Sequence, residues 1–246
     1  MRVISLGWGV QSFTLAAMAA LGDIEPVDYA IHADTTHERQ ATYEFAKRHT
    51  CWLEEHGVRV ITVKPSDAKI IDNFGGVMIP AHIENAGMFS RQCTDKWKRA
   101  TMRRWLQANR NGEPVEMLLG ISLDEFQRMR ESDVKYITNT YPLVEMRMTR
   151  NDCALYLKRH GIQVPSKSAC VFCPFQRTSE WREVMDNATD FIKATYADEI
   201  IREARMPGKL YVHPARIPLA EVDLRTAEEK GQLSLWDNEC SGVCGV

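Results

Sequence analysis

The chain has 246 residues and a formal net charge of −2, from 31 lysines and arginines against 33 aspartates and glutamates. This balance argues against a protein held on nucleic acid by overall positive charge, although a local basic face is compatible with it. No apolar run approaches the roughly 18 residues of a membrane span, and the first residues resemble a strand rather than a secretory signal. We therefore expect a cytoplasmic protein without a membrane partner.

The first half of the chain alternates strand-like and helix-like patterns. Short apolar runs predict strands over residues 2–6, 27–33, 58–63 and 115–121. Apolar periodicity predicts helices between these strands, including an apolar helix over residues 12–21 and a basic helix over residues 96–109. Because strands that alternate with helices form parallel sheets, we predict an α/β fold with an open, mostly parallel sheet and helices on both faces.

The second half has a different pattern. A helix is predicted over residues 151–160, capped by Thr149 or Asn151 and ended by Gly161. Residues 179–205 are predicted to be helical, and beyond Pro207 the pattern indicates mostly loop. We predict a nucleotide-binding α/β domain over residues 1–175. A helical extension with a cysteine-containing tail, residues 176–246, would pack on it.

A glycine-containing loop connects the first predicted strand to the apolar helix, with the sequence Gly7-Trp8-Gly9-Val10-Gln11-Ser12. Glycines allow the backbone to approach phosphate oxygens, and a helix start offers free N–H groups and a favourable dipole. Ser12 could donate a hydroxyl hydrogen bond to a ligand or cap the helix. The alternative is a tight strand-to-helix turn that binds nothing. The loop matches neither the dinucleotide fingerprint nor the P-loop.

This loop resembles the PP-loop of the adenine nucleotide alpha-hydrolase superfamily, which includes ATP pyrophosphatases and phosphoadenylyl-sulfate (PAPS) reductases. The usual loop reads Ser-Gly-Gly-x-Asp-Ser or Ser-Gly-Lys-Asp-Ser. This chain keeps the central Gly9 and the final Ser12, and it has Gly7 for the first serine and Gln11 for the aspartate. Since Gln11 is neutral, it is a poorer ligand for magnesium.

Further motifs follow in the order found in the PAPS reductase-like branch. They are Asp34-Thr35, with Thr36 in place of a glycine, the segment from Cys93 to Lys98, Gly120 with the trailing Arg128, Tyr141-Pro142-Leu143, Met148 to Asp152, and Ser168 to Pro174. The resemblance spans residues 3–175 and implies a PP-loop, Rossmann-like fold. The nucleotide-binding residues that we infer are Ser5, Gly7, Gly9, Gln11, Ser12, Asp34, Gly120 and Arg128. Lys98 is the inferred catalytic cation.

The chain has seven cysteines. Because this count is not even and the chain is expected to be cytosolic, it argues against a disulfide framework. Cys51 and Cys153 lie in helical patterns and are expected to be inert. Cys170 and Cys173 form a C-x2-C motif, which is a half-site for iron or zinc but also occurs as a structural or redox pair. Cys240 and Cys244 form a C-x3-C motif near the end of the sequence. The alternative for this pair is a disordered terminus in which the two cysteines have no role.

The resemblance favours a [4Fe-4S] cluster over zinc and implies Cys93, Cys170, Cys173 and Cys244 as ligands. Only one cysteine stands at position 93, where bacterial adenylyl-sulfate reductases have two adjacent cysteines. Glu239-Cys240 resembles the Glu-Cys of sulfonucleotide reductases and implies Cys240 as a nucleophile. Two arrangements stay open: a tail cysteine is the fourth ligand, or three ligands leave an open iron while Cys240 or Cys244 attacks the substrate.

The leading hypothesis is an enzyme that binds ATP, with magnesium as a further cofactor, and transfers sulfur to an activated nucleic acid or nucleotide acceptor such as tRNA or DNA. The first alternative is a reductase of adenylyl sulfate or phosphoadenylyl sulfate. The second is a non-catalytic module that is stabilised by a bound metal and binds nucleotide or nucleic acid. A sulfur donor or reductant protein is the expected partner, and a homodimer is a further expectation.

Six basic residues around Cys93 could bind phosphate or form a solvated helix face, namely Arg91, Lys96, Lys98, Arg99, Arg103 and Arg104.

Overall fold

A computed structural model describes residues 1–231 except 205, 207, 227 and 228. Its main feature is a five-stranded sheet in the order β3-β2-β1-β6-β7, in which every neighbouring pair is parallel. The strands are β1 (Arg2–Ser5), β2 (Tyr29–Ala33), β3 (Val60–Val63), β6 (Val115–Leu119) and β7 (Ile137–Thr140). The predicted α/β class with a parallel sheet is confirmed.

Helices cover both faces of this sheet, as predicted. They are α1 (Val10–Leu21), α2 (Gln40–Glu55), α3 (Ala100–Asn109), α4 (Pro142–Glu145) and α5 (Arg150–Arg159). Successive strand residues point to opposite faces, so Ile4 packs with α1, α2 and α5, while Val3 packs with Leu106 of α3. Residues Thr94–Arg99 form a π-helical turn that leads into α3.

A second hydrophobic core lies outside the main sheet. It joins residues from Ile70 to Trp97 with residues from Val171 to Leu224. Its elements are a three-stranded antiparallel sheet and two helices: β4 (Ala81–Ile83), β5 (Met88–Phe89), α6 (Thr178–Asp186), α7 (Ala188–Arg202) and β8 (Leu210–Tyr211). The helical extension therefore shares a core with residues that precede position 175, and the domain boundary at that position stays a prediction.

Two of the differences between the local predictions and the structure have a clear physical reason. The single helix predicted over residues 179–205 is two helices, because Asn187 is extended and its side chain caps α7 by accepting a hydrogen bond from the Asp190 N–H. Strand β7 lies within a stretch for which no element was predicted, since its polar sequence Ile-Thr-Asn-Thr suits the edge of the sheet. The predicted cap of α5 is correct, because Thr149 and Asp152 form a capping box.

None of the helices in the described part of the chain is long and apolar enough to cross a membrane. Cys240 and Cys244, predicted as nucleophile and metal ligand, lie outside the described residues.

Candidate functional site

A cavity of about 620 Å³ lies at the carboxyl ends of four strands of the main sheet. Its walls include Ser5 to Gly7 after β1, Ile31 to Ala33 of β2, Leu119 to Ile121 after β6, and Asn139 on β7. Strand β1 has β2 on one side and β6 on the other, so the chain reverses its direction of strand addition here. Ligands of open parallel sheets bind at such a switch point.

The glycine-containing loop forms one wall of this cavity through Gly7 and Ser12. The Ser12 hydroxyl accepts a hydrogen bond from the Gly7 N–H at 3.1 Å and contacts the Gly9 carbonyl at 3.3 Å. Gly9 is the N-cap of α1, and no side chain caps this helix. Ser12 therefore shapes the loop, and no side chain caps the amide groups at the start of α1, which are the kind of group that binds anions.

The strained backbone of the loop falls on a tryptophan. Trp8 has φ of 56°, whereas Gly9 has φ of −88°. The Trp8 ring is buried and packs against Phe13 and Phe45, with ring centroids 6.0 and 6.3 Å away. This packing holds a conformation that tryptophan rarely adopts.

Gly120 has the least space for a side chain among the glycines of the site. A Cβ placed on Gly120 would lie 2.6 Å from the Ser12 nitrogen and 2.7 Å from the Ser12 Cα. At Gly9, by contrast, a Cβ would make an ordinary contact of 3.6 Å with Ser168. Glycine is thus required sterically at the end of β6, where this strand meets the first turn of α1.

Gln11, predicted to bind the nucleotide, is not among the residues that line the cavity. Its side chain is buried in a polar network, in which the amide nitrogen lies 3.1 Å from Glu125 and 3.3 Å from Ser122. The amide oxygen accepts a hydrogen bond from Arg150 at 2.7 Å. Both ends of the amide are engaged, so Gln11 acts as a support for the loop in this conformation.

Asp34 has a similar supporting role at the end of β2 and does not line the cavity. Its carboxylate accepts hydrogen bonds from the Thr36 N–H at 2.7 Å and the Tyr43 hydroxyl at 2.8 Å. Burial opposes ionisation, but these hydrogen bonds outweigh it and hold the Asp34 pKa below its usual value. Thr36 has φ of 65°, at the position where the resembled motif has a glycine.

Lys98 lines the cavity and forms an ion pair with Glu38 at 2.9 Å. Glu38 is only 1% exposed and also accepts a hydrogen bond from the Ser168 hydroxyl at 3.3 Å. Burial disfavours the ammonium, but Glu38 outweighs it and raises the Lys98 pKa, so this cation stays charged.

Arginines complete a cationic wall. Among the described residues that line the cavity, one is acidic, Glu131, and five are cationic, namely Arg91, Lys98, Arg99, Arg128 and Arg130. Arg128 was predicted from the resemblance, and it contacts Glu125 at 2.7 Å. Arg130 was not predicted. Its backbone is held by Tyr141, whose hydroxyl accepts the Arg130 N–H at 2.8 Å, a long-range contact that has no local signal in the sequence.

Cys93, Cys170 and Cys173 lie behind this wall, near Lys98. The Cys170 sulfur is 3.4 Å from the Thr35 hydroxyl, and the Cys173 N–H donates to the Cys170 carbonyl at 3.0 Å. Burial raises the pKa of each of the three thiols, and a charge on Cys173 raises that of Cys93 further. A raised pKa favours the neutral thiol, which is a weaker nucleophile than the thiolate.

The described residues do not form a metal site. Within the described part of the chain, no three His, Cys, Asp or Glu side chains are gathered closely enough to hold an ion. Cys93, Cys170 and Cys173 are neighbours, but they do not form a ligand set in this arrangement. We therefore derive no chemical step through a cluster. Cys51 is exposed, and Cys153 is buried in the core of the main sheet, which agrees with a packing role only for Cys153.

No protein-family model and no curated protein sequence matches this chain. The solved structures that match include a phosphoadenylyl-sulfate (PAPS) reductase from Candida auris in a phosphate complex. The TM-score is 0.48 and the identity is 12%, over 67% of this chain and 74% of that chain. That protein carries the name of the branch that the sequence motifs resemble.

Proposed function

We propose that the protein is an enzyme that binds an adenine nucleotide in the cavity at the carboxyl edge of the main sheet. The observation that carries the proposal is the combination of an uncapped helix start and a cationic wall at the switch point of the sheet. Amide groups at a helix start and guanidinium groups are the donors that proteins use for phosphate. Ser5, Gly7, Ser12, Gly120, Lys98 and Arg128 are the predicted residues that line this cavity.

The reaction that we propose first is ATP-dependent activation of an acceptor followed by sulfur transfer. An acceptor oxygen attacks the α-phosphorus of ATP, and pyrophosphate leaves. A persulfide sulfur then attacks the adenylylated carbon and AMP leaves, and reduction of the resulting linkage by a thiol frees the thiolated acceptor. The acceptor is a nucleic acid or a nucleotide, and the persulfide comes from a sulfur donor protein. Lys98 would balance the phosphate charge.

One observation favours a second reaction, the reduction of adenylyl sulfate or of its 3′-phosphate. The loop has an engaged glutamine amide at the position of a magnesium-binding carboxylate, so cationic side chains of the cavity face the ligand's charge. In this reaction a cysteine thiolate, which we assign to Cys240, attacks the sulfur, and the nucleotide leaves as AMP from adenylyl sulfate or as adenosine 3′,5′-bisphosphate from its 3′-phosphate. A second thiol then releases sulfite and forms a disulfide, which a dithiol protein reduces.

Binding is tested by titrating the purified protein with ATP, AMP and adenylyl sulfate in a calorimeter. We expect Arg128→Gln and Lys98→Gln each to weaken binding by about ten-fold or more, because a charge-assisted hydrogen bond contributes about 1.5–3 kcal/mol. Arg59→Gln and Lys158→Gln are matched controls, since both residues are exposed and neither lines the cavity. A wild-type protein that binds none of these nucleotides would overturn the proposal.

Turnover then separates the reactions. Pyrophosphate release from ATP with a nucleic acid acceptor supports sulfur transfer, and sulfite release from adenylyl sulfate with a dithiol supports reduction. A protein that binds nucleotide but catalyses neither reaction is the non-catalytic module considered from the sequence.

The [4Fe-4S] cluster stays a prediction based on the sequence resemblance, with zinc as its alternative. It is tested by iron, zinc and sulfide analysis after purification without oxygen. If Cys93, Cys170 and Cys173 are ligands, each serine variant loses the metal, whereas Cys51→Ser, at an exposed position, keeps it. Wild-type protein without iron or zinc contradicts the prediction. A serine variant of Cys240 or Cys244 that keeps the metal but loses turnover identifies a nucleophile.

A further inference from the structure

A smaller cavity of about 170 Å³ adjoins the nucleotide cavity. The two cavities have five lining residues in common, namely Ser5, Arg99, Met102, Leu119 and Asn139. A group bound in the smaller cavity would therefore lie beside the nucleotide. The proposed reaction requires a place of this kind for its acceptor.

One wall of the smaller cavity is apolar and belongs to the core beneath α3, and Ser5, Ser132 and Asn139 also line the cavity. Met102 and Leu106 come from α3, and Met117, Leu119 and Ile137 come from the sheet. Leu106 is fully buried, and Met117 and Ile137 are almost so. Methionine side chains adapt to flat rings and make favourable sulfur contacts with aromatic systems. The cavity suits one planar ring system and is too small for a whole nucleotide.

The rim of the smaller cavity carries two arginines and a carboxylate. Arg99, Arg103 and Asp133 all line it; both arginines contact Asp133, Arg99 at 2.6 Å, and Arg99 also pairs with Asp95. A guanidinium has five N–H donors, so each arginine keeps donors for a second acceptor. Arg104 and Lys96 are exposed on the same stretch, and neither forms an ion pair with a carboxylate of the described residues. Of these residues, Arg103, Arg104 and Lys96 do not line the nucleotide cavity.

We propose that the smaller cavity binds an unpaired base of a single-stranded nucleic acid, with the adjacent phosphates on Arg99 and Arg103. This inference rests on the proposed function, in which a nucleic acid is one of the acceptors. Proteins hold an extruded base between aromatic or apolar side chains. A positively charged groove follows the backbone of a single strand. A base pair is too large for a cavity of this size, so a base that enters it must be extruded or already unpaired.

The test uses fluorescence anisotropy with fluorescein-labelled 12-nucleotide RNA and DNA strands, their duplexes, and an abasic strand with the same phosphates. Met117→Phe fills the apolar slot, and Arg103→Gln removes a rim cation. We expect Met117→Phe to weaken binding of the normal strand by about five-fold or more while leaving the abasic strand unchanged. Arg103→Gln should weaken both strands, with a smaller salt dependence. Arg59→Gln, at an exposed position outside both cavities, should change neither.

The outcomes separate this inference from the proposed function. Both variants leave the lining of the nucleotide cavity intact, so ATP binding should stay at the wild-type level and would also show that they are folded. If ATP binds but the strands do not, or if Met117→Phe weakens the normal and abasic strands equally, the base pocket is wrong and the nucleotide site stands. If duplexes bind as tightly as single strands, the extruded base is wrong. If ATP itself does not bind, the proposed function fails first.

Discussion

Gly120 ends β6 against the first turn of α1, where an added Cβ would meet the backbone of Ser12 at 2.6 Å. Because backbone atoms cannot yield as a flexible side chain does, Gly120→Ala must push the strand end and the loop apart. We expect a loss of about 1–3 kcal/mol in the free energy of unfolding, as for other overpacked sites, and weaker ATP binding. Urea unfolding and calorimetry measure the two effects.

The control for this change is Gly87→Ala, since a Cβ on Gly87 meets nothing within 4 Å. Equal stability and equal ATP affinity for Gly120→Ala and the wild type would contradict the steric role assigned to this residue.

The conformation and contacts of some single residues could not be predicted from the sequence. The sequence predicts a glycine-containing loop between the first strand and the first helix. The residues with a left-handed backbone are Trp8 and Thr36, although tryptophan and threonine rarely adopt this conformation. Tertiary packing holds Trp8 among aromatic rings, and no pattern of neighbouring residues could predict this. The position of Gln11 in the motif predicts that its side chain binds the nucleotide. Its partners Glu125 and Arg150 are more than one hundred residues away and became visible only in the fold.

Among the secondary-structure elements, those with local signals were predicted best. The capping box of α5 and the β-branched run of β3 are encoded by adjacent residues. The polar edge strand β7 was missed because an edge strand needs no apolar alternation, and the break between α6 and α7 depends on the cap at Asn187.

The junction between β2 and α2 depends on one carboxylate. Asp34 is 7% exposed and joins the strand end to the helix through Thr36 and Tyr43. We expect Asp34→Asn to lower the free energy of unfolding by about 1–3 kcal/mol at pH 7, the usual contribution of hydrogen bonds to a charged group. Urea unfolding across a pH series measures it, and Asp186→Asn, at an exposed position of α6, is the control.

The pH dependence of this effect has a definite sign. The pKa of Asp34 is depressed in the folded protein, so its contribution is complete above the unfolded value of 3.8 and is lost as the pH falls through the lower folded value. The difference between wild type and Asp34→Asn should therefore be full at pH 5 to 7 and shrink below about pH 4. A difference that stays constant down to pH 2 would contradict the role of the charge.

In the whole molecule, the candidate site lies where distant segments of the chain meet. The cavity combines the edge of the main sheet with Arg91 to Arg99, a segment that begins in the second core. Glu38 from one segment pairs with Lys98 from another and contacts Ser168 from a third. The sequence resemblance listed these motifs in order, but their meeting depends on contacts between residues far apart in the chain.

The division of the chain at residue 175 can be tested by truncation. A chain of residues 1–175 keeps Val77, Ile79 and Trp97 but loses Trp181 and the other core residues of α6 and α7 that bury them. We expect this fragment to expose apolar surface, because half of the second core would be missing, and to aggregate or bind a hydrophobic dye. A chain of residues 1–231 retains both cores and is the control. Dye fluorescence and thermal unfolding measure the difference, and a cooperative transition of the 1–175 fragment at the full-length temperature would show instead that the α/β domain folds independently.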